Sequence, residues 1–113
     1  MPATIPNPVK LALTTSLQDL TAAVGAAKVR SYDVRVANIG AADAYVDLVM
    51  TDGVTIIYRA KNYPVPYQQA GSAVDLELKL LVPTGWKLQA KASANATLEA
   101  SAVSVEADTA NFA

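Results

Sequence analysis

Two stretches of this sequence alternate apolar and polar residues with a period of two, the pattern of strands with one buried and one solvated face. Within residues 28–53, KVRSYDVRVANIGAADAYVDLVMTDG, Tyr32, Val34 and Val36 alternate with Ser31, Asp33 and Arg35. After Asn38, Ile39 and Gly40, a short turn-forming interruption, Ala44, Val46, Leu48 and Met50 alternate with Tyr45, Asp47 and Thr51. Asp52-Gly53 closes the run with a strong turn signal, so the pattern predicts a hairpin. Residues 73–82, AVDLELKLLV, repeat the theme: Val74, Leu76, Leu78, Leu80 and Val82 point one way, and Asp75, Glu77 and Lys79 the other. A slip of one residue would turn either apolar set to water, so one face of each strand must be packed.

The remaining segments supply further short strands. Residues 11–17 (LALTTSL) and 20–24 (LTAAV) read as two of them. A helix over 16–27, capped by Ser16, competes, but Thr14, Thr15, Thr21 and Val24 are β-branched and Gly25 interrupts it early. Residues 54–59 (VTIIYR) form the next strand. Residues 60–72 (AKNYPVPYQQAGS) read as a long loop, because Pro64 and Pro66 cannot donate to a ladder. After the turn at Pro83-Thr84-Gly85, residues 86–93 (WKLQAKAS) place Leu88, Ala90 and Ala92 inward. In the last strand, 96–106 (ATLEASAVSVE), the inward phase shifts from Leu98 and Ala100 to Val103 and Val105, which predicts a bulge near Ala102. Seven or eight short strands with turns between them predict an all-β fold, an antiparallel β-sandwich with immunoglobulin-like or jelly-roll connections. The expected organisation is an extended arm over 1–10, the sandwich over 11–107 and a tail over 108–113.

Composition narrows the function classes. The chain has 113 residues, enough for one core, and 52% are hydrophobic, but alanine supplies much of that and aromatics only 6%. Alanine buries little area, so the core is thin and support from neighbouring subunits is expected. Nine basic and ten acidic residues are spread along the chain. The densest basic group, Lys28, Arg30 and Arg35, has Asp33 among it, which reads as a solvated strand face and not as a nucleic-acid site. Cysteine and histidine are both absent, removing thiolate chemistry, the commonest general base and the commonest metal ligand. The N-terminus, MPATIPNPVK, lacks the apolar core of a signal peptide, and no apolar run approaches the roughly 20 residues that cross a bilayer. No membrane partner and no cofactor are expected.

Few residues present themselves as a site. Asp43, Asp47 and Asp52 are carboxylates in one region, but their spacing matches no calcium loop, and Ser16, Ser31 and Ser72 have no histidine to activate them. No catalytic and no metal site is therefore expected. Pro2, Pro6 and Pro8 stiffen the N-terminal arm, which can lie on a neighbouring subunit at small entropic cost or remain a free terminus. Tyr63, Val65 and Tyr67, on a proline-stiffened loop, either contact another subunit or fold back over the sandwich edge. Trp86 can stack on a sugar or anchor the core.

The order of signals resembles a known class. The "VANIG" step, the "YVDLVMTDG" strand, the segment "SAVDLELKLLVPTGWKLQAKASA" and the closing "TLEASAVSVE" strand together resemble small β-sandwich virion proteins of tailed bacteriophages, over residues 11–106. Trp86-Lys87 stands where that pattern often carries Gly-Asp. The resemblance implies a non-enzymatic structural part of the capsid decoration, head-spike or tail-associated type. It implies a homo-oligomer made in the host cytoplasm and carried in the virion, with other virion proteins such as the major capsid protein as partners. The alternative is a carbohydrate- or receptor-binding module of a tail or head fibre, using Tyr63, Tyr67 and Trp86.

Overall fold

The computed structural model describes residues 4–67 and 76–109, and their regular structure is β throughout. The strands are β1 (Val9–Ala12), β2 (Gln18–Asp19), β3 (Lys28–Asn38), β4 (Ala44–Thr51), β5 (Ile56–Val65), β6 (Leu76–Val82), β7 (Lys87–Ala92) and β8 (Leu98–Asp108). They form two four-stranded antiparallel sheets, ordered β1-β8-β3-β6 and β2-β7-β4-β5. Every connection except β4–β5 passes from one sheet to the other. This order is that of a jelly roll, which decides between the two expected sandwich topologies. No helix occupies residues 16–27, but the expected strands are misplaced: β1 overlaps the strand expected at 11–17 only at residues 11–12, and residues 20–24 form no strand, β2 ending at Asp19.

The expected hairpin between β3 and β4 does not form. β3 sits between β8 and β6, paired with β8 along all eleven residues from Lys28↔Asp108 to Asn38↔Leu98, and β4 lies in the other sheet. With both edges of β3 occupied, residues 39–43 carry the chain across the roughly 10 Å between packed sheets. Asn38 makes that corner. Its buried side chain donates through Nδ2 to the carbonyls of Ala42 (2.8 Å) and Val65 (2.9 Å), and its Oδ1 accepts from the Gly40 N–H (2.9 Å). A Cβ on Gly40 would come 3.2 Å from the Thr97 Cα, so the corner packs tightly against the start of β8. The one true hairpin among the described residues, β4–β5, turns where Asp52-Gly53 predicted: Asp52 Oδ1 accepts from Val54 and Thr55 N–H, and Gly53 takes φ +98°.

The core lies between the sheets. Tyr32, Val34 and Val36 of β3, Val46 and Leu48 of β4 and Leu76, Leu80 and Val82 of β6 contribute its large side chains, while β7 and β8 contribute Ala90, Ala92, Ala100 and Ala102. Leu78, expected to be buried, is only half-buried, because β6 has no neighbour on its outer side among the described residues. The phase shift expected in β8 is also absent. Leu98, Ala100, Ala102 and Ser104 all face inward, whereas Val103 and Val105 are about half exposed. The continuous ladder with β3 sets this phase, pairing Ala102 with Val34 and Ser104 with Tyr32, so small residues stand opposite large ones.

Candidate assembly surface

Of the segment expected to be a strand at 54–59 and a loop at 60–72, residues 56–65 form instead one ten-residue strand, β5, that contains Pro64, and residues 68–72 lie outside the described residues. Proline is tolerated because β5 is an edge strand and because of where its nitrogen points. Pro64 stands opposite Tyr45, whose N–H and C=O are both engaged on the β7 side by Ser93. The pair is therefore of the non-hydrogen-bonded kind, and the missing N–H of Pro64 faces the open edge, where β4 needs nothing from it.

Two irregularities bend β5. Lys61 and Asn62 together oppose Asp47, and the register shifts again beside Arg59, between Leu48↔Ala60 and Val49↔Tyr58. Asn62 takes φ +48°, and the Asp47 Oδ1 accepts its N–H at 2.6 Å. Asp47 was expected on a solvated face, but this bulge and Lys91, whose Nζ lies 3.6 Å from Oδ2, cover it. Bulges, the cations Arg59 and Lys61, and an outward proline are the devices that keep an edge strand from adding another strand. Contacts made by β5 are thus contacts of side chains.

Those side chains are unusually apolar for a surface. Tyr45, Tyr58, Tyr63 and Tyr67 are each 42–49% exposed, and Ile56 and Ile57 are exposed too. By register Ile56 and Tyr58 share the outer face with Tyr45, whereas Ile57 and Tyr63, opposite Met50 and Val46, stand on the core-facing row of the open edge. Lys61 Nζ lies 4.9 Å from the centre of the Tyr58 ring. Of the three loop residues singled out in the sequence, Tyr63 and Tyr67 present surface, but Val65 turns into the core at 1% exposure and supports the site from beneath. Tyr45, Tyr58, Ile56 and Ile57 were not foreseen. A signal for the last three was available: the run VTIIYR lacks the alternation of its neighbours, so it gives apolar groups to both of its faces.

The remaining sequence candidates scatter. In the N-terminal stretch, Thr4 bridges Glu106 through two backbone hydrogen bonds of 2.8 Å, Pro6 is half-buried and Pro8 is exposed; Pro2 lies outside the described residues. Trp86 is half-buried and packs against the core at the end of the 83–86 turn, where its carbonyl accepts the Val24 N–H at 2.9 Å. The three aspartates do not converge. Asp43 accepts from Tyr67 N–H, Asp47 from Asn62 and Asp52 from Val54 and Thr55, so each holds a turn or a bulge. The backbone donors at Asp52 hold its carboxyl below the usual carboxylate range. One cleft, of about 220 Å³, opens between Thr15, Tyr45, Asp47, Asn62, Lys91 and Ser93.

No protein-family model and no curated protein matches the chain. Among solved structures it is similar to a pentameric capsid protein isolated from metagenomic phage sequences. It is similar to a second crystal structure so described, solved by iodide phasing. Each is 18% identical with a TM-score of 0.48, over 90% of this chain and 60% or 62% of the other. The chain thus spans about three-fifths of the length of the proteins it matches.

Proposed function

We propose that this protein is a non-enzymatic structural part of a tailed-phage virion, a decoration or cement protein that binds and stabilises the assembled capsid. The observation that supports this most is the aromatic strip of β5. A strand shaped to refuse another strand yet displaying Tyr58, Tyr63, Ile56 and Ile57, with Tyr45 and Tyr67 beside it, suits docking onto a preformed surface. Tyrosine loses few rotamers on binding and combines apolar area with a hydrogen-bonding tip. The jelly roll adds a fold-level analogy, since viral capsid domains use it repeatedly. In this reading Tyr63 and Tyr67 contact the capsid, and the stretch holding Pro2, Pro6 and Pro8 reaches a neighbouring subunit. At the similarity reported above, the solved capsid proteins transfer neither stoichiometry nor role.

Co-expression with the major capsid protein of the same genome, followed by density-gradient sedimentation, tests the proposal. The chain should migrate with the shells, and Tyr58→Ala with Tyr63→Ala should release it without changing its circular dichroism. A chain that stays at the top of a gradient containing intact shells overturns it.

One observation favours a second reading, a carbohydrate-binding module. The cleft beside Tyr45 sets an exposed ring next to Asp47, Asn62 and Lys91, the mixture of aromatic and polar groups that sugars engage. Jelly rolls also serve as lectin domains. Trp86 lines no part of this cleft. Glycan-array binding that is lost on Tyr45→Ala would favour this reading over the first.

A further inference from the structure

β5 is a protected edge; β6 is not. β6 pairs with β3 in unbroken register from Arg30↔Val82 to Val36↔Leu76, with no bulge and no proline, and its other side is open among the described residues. A regular open edge is a template for another strand. Its side chains also show an unfinished contact: Leu78, on the core-facing row, is only half-buried between the buried Leu76 and Leu80.

The sequence of β6, LELKLLV, restricts which strand can complete it. In an antiparallel pair, opposite residues share a face, so a two-fold pairing of β6 with its own copy must be centred on a residue. Centred on Glu77 or on Lys79, it sets like charges against each other. Centred on Leu78, it sets Leu78 against Leu78 and Leu76 against Leu80 on the core side. On the outer side it sets Glu77 against the second copy's Lys79, twice by symmetry. Lys79 is available for this, since no carboxylate lies within ion-pair distance of it among the described residues. Glu77 already meets Arg35 and can hold two cations on an exposed face.

We infer that β6 is a homodimer edge, where two copies join antiparallel about Leu78 to make sheet β1-β8-β3-β6 continuous across eight strands. The seam is confined to that sheet, because β5 carries Arg59 and Lys61 and would repel its own copy. The inference goes beyond the virion reading and does not depend on it.

Charge reversal and cross-linking test it. By sedimentation equilibrium the wild-type chain should form dimers, and Glu77→Lys or Lys79→Glu alone should weaken association roughly tenfold or more, since each creates two opposed like pairs. The double variant E77K/K79E should regain most of it. Because the chain has no cysteine, Leu78→Cys introduces a single thiol that the two-fold sets against itself at disulfide distance. Oxidation should give a covalent dimer, whereas Leu81→Cys, on a more exposed residue, should not. A wild-type chain that remains monomeric at millimolar concentration overturns the proposal. So does an association untouched by the single reversals, or Leu81→Cys cross-linking as readily as Leu78→Cys. If shells still take up the chain in those cases, the virion reading stands without this edge; a β6 dimer that never joins shells is the converse.

Discussion

Asn38→Ala tests the corner that sends the chain from one sheet to the other. The wild-type side chain makes three hydrogen bonds of 2.8–2.9 Å, and one of its acceptors, the Val65 carbonyl, lies in the buried interior. A net hydrogen bond contributes about 0.5–1.5 kcal/mol, and the substitution removes all three. The expected loss is therefore about 2–4 kcal/mol, a large share of the 5–15 kcal/mol typical of a whole domain, so the variant folds but weakly. Urea unfolding followed by circular dichroism measures it, and the midpoint should fall by about 1–2 M. Asn38→Asp sharpens the test. At neutral pH its carboxylate would face the carbonyls of Ala42 and Val65 with no proton to offer, so folding raises its pKa. Stability held by such a group is fully present below the unfolded pKa, near 4, and is lost as pH rises through the folded one. The deficit of Asn38→Asp relative to wild type should then shrink on acidification. An Asn38→Ala variant within about 0.5 kcal/mol of wild type, or a pH-independent Asn38→Asp deficit, would refute the assignment of the corner to this side chain.

Other expectations follow from burial and charge. Leu98→Ala, at a fully buried position, should cost about 2–5 kcal/mol, whereas Glu77→Ala on the outer face should change monomer stability by no more than about 0.5 kcal/mol. Leu78→Ala should fall between them and cost more in any state that covers β6. Ser104→Leu should destabilise by about 1–3 kcal/mol through overpacking opposite Tyr32, while Val103→Ser should be tolerated; the reverse order would mean that the phase of β8 is misassigned. Asp19, Asp52, Glu77 and Asp108 have depressed pKa values, held down mainly by hydrogen bonds from Gln89, Thr55, Arg35 and Lys28 respectively. Their contribution is present above the ordinary carboxylate range and lost as pH falls through the folded values, so the urea midpoint should drop below about pH 4. A midpoint unchanged down to pH 3 would contradict this.

The sandwich was legible in the sequence because its signals are local. Alternation at Tyr32-Val34-Val36 and at Leu76 to Val82 states which face is buried, and Asp52-Gly53 states where a tight turn falls, without reference to any distant residue. Partner choice is not local. Nothing between Asn38 and Asp43 says whether the chain doubles back on β3 or crosses to the other sheet; that was decided by β8 and β6, which occupy both edges of β3. The phase of β8 was decided the same way, since the ladder with β3 overrode the apolar appeal of Val103 and Val105. The surface was half legible. Tyr63 and Tyr67 stood out as aromatics beside prolines, but Tyr45 and Tyr58 come to share the outer face of one sheet only through the β4–β5 ladder, and Val65 leaves the surface through the same pairing. The sequence by itself determined the strands, their faces and the tight turn, because side-chain period and turn chemistry act within a few residues. Tertiary structure alone decided which strands stand at the edges, because an edge is defined by the partners a strand lacks.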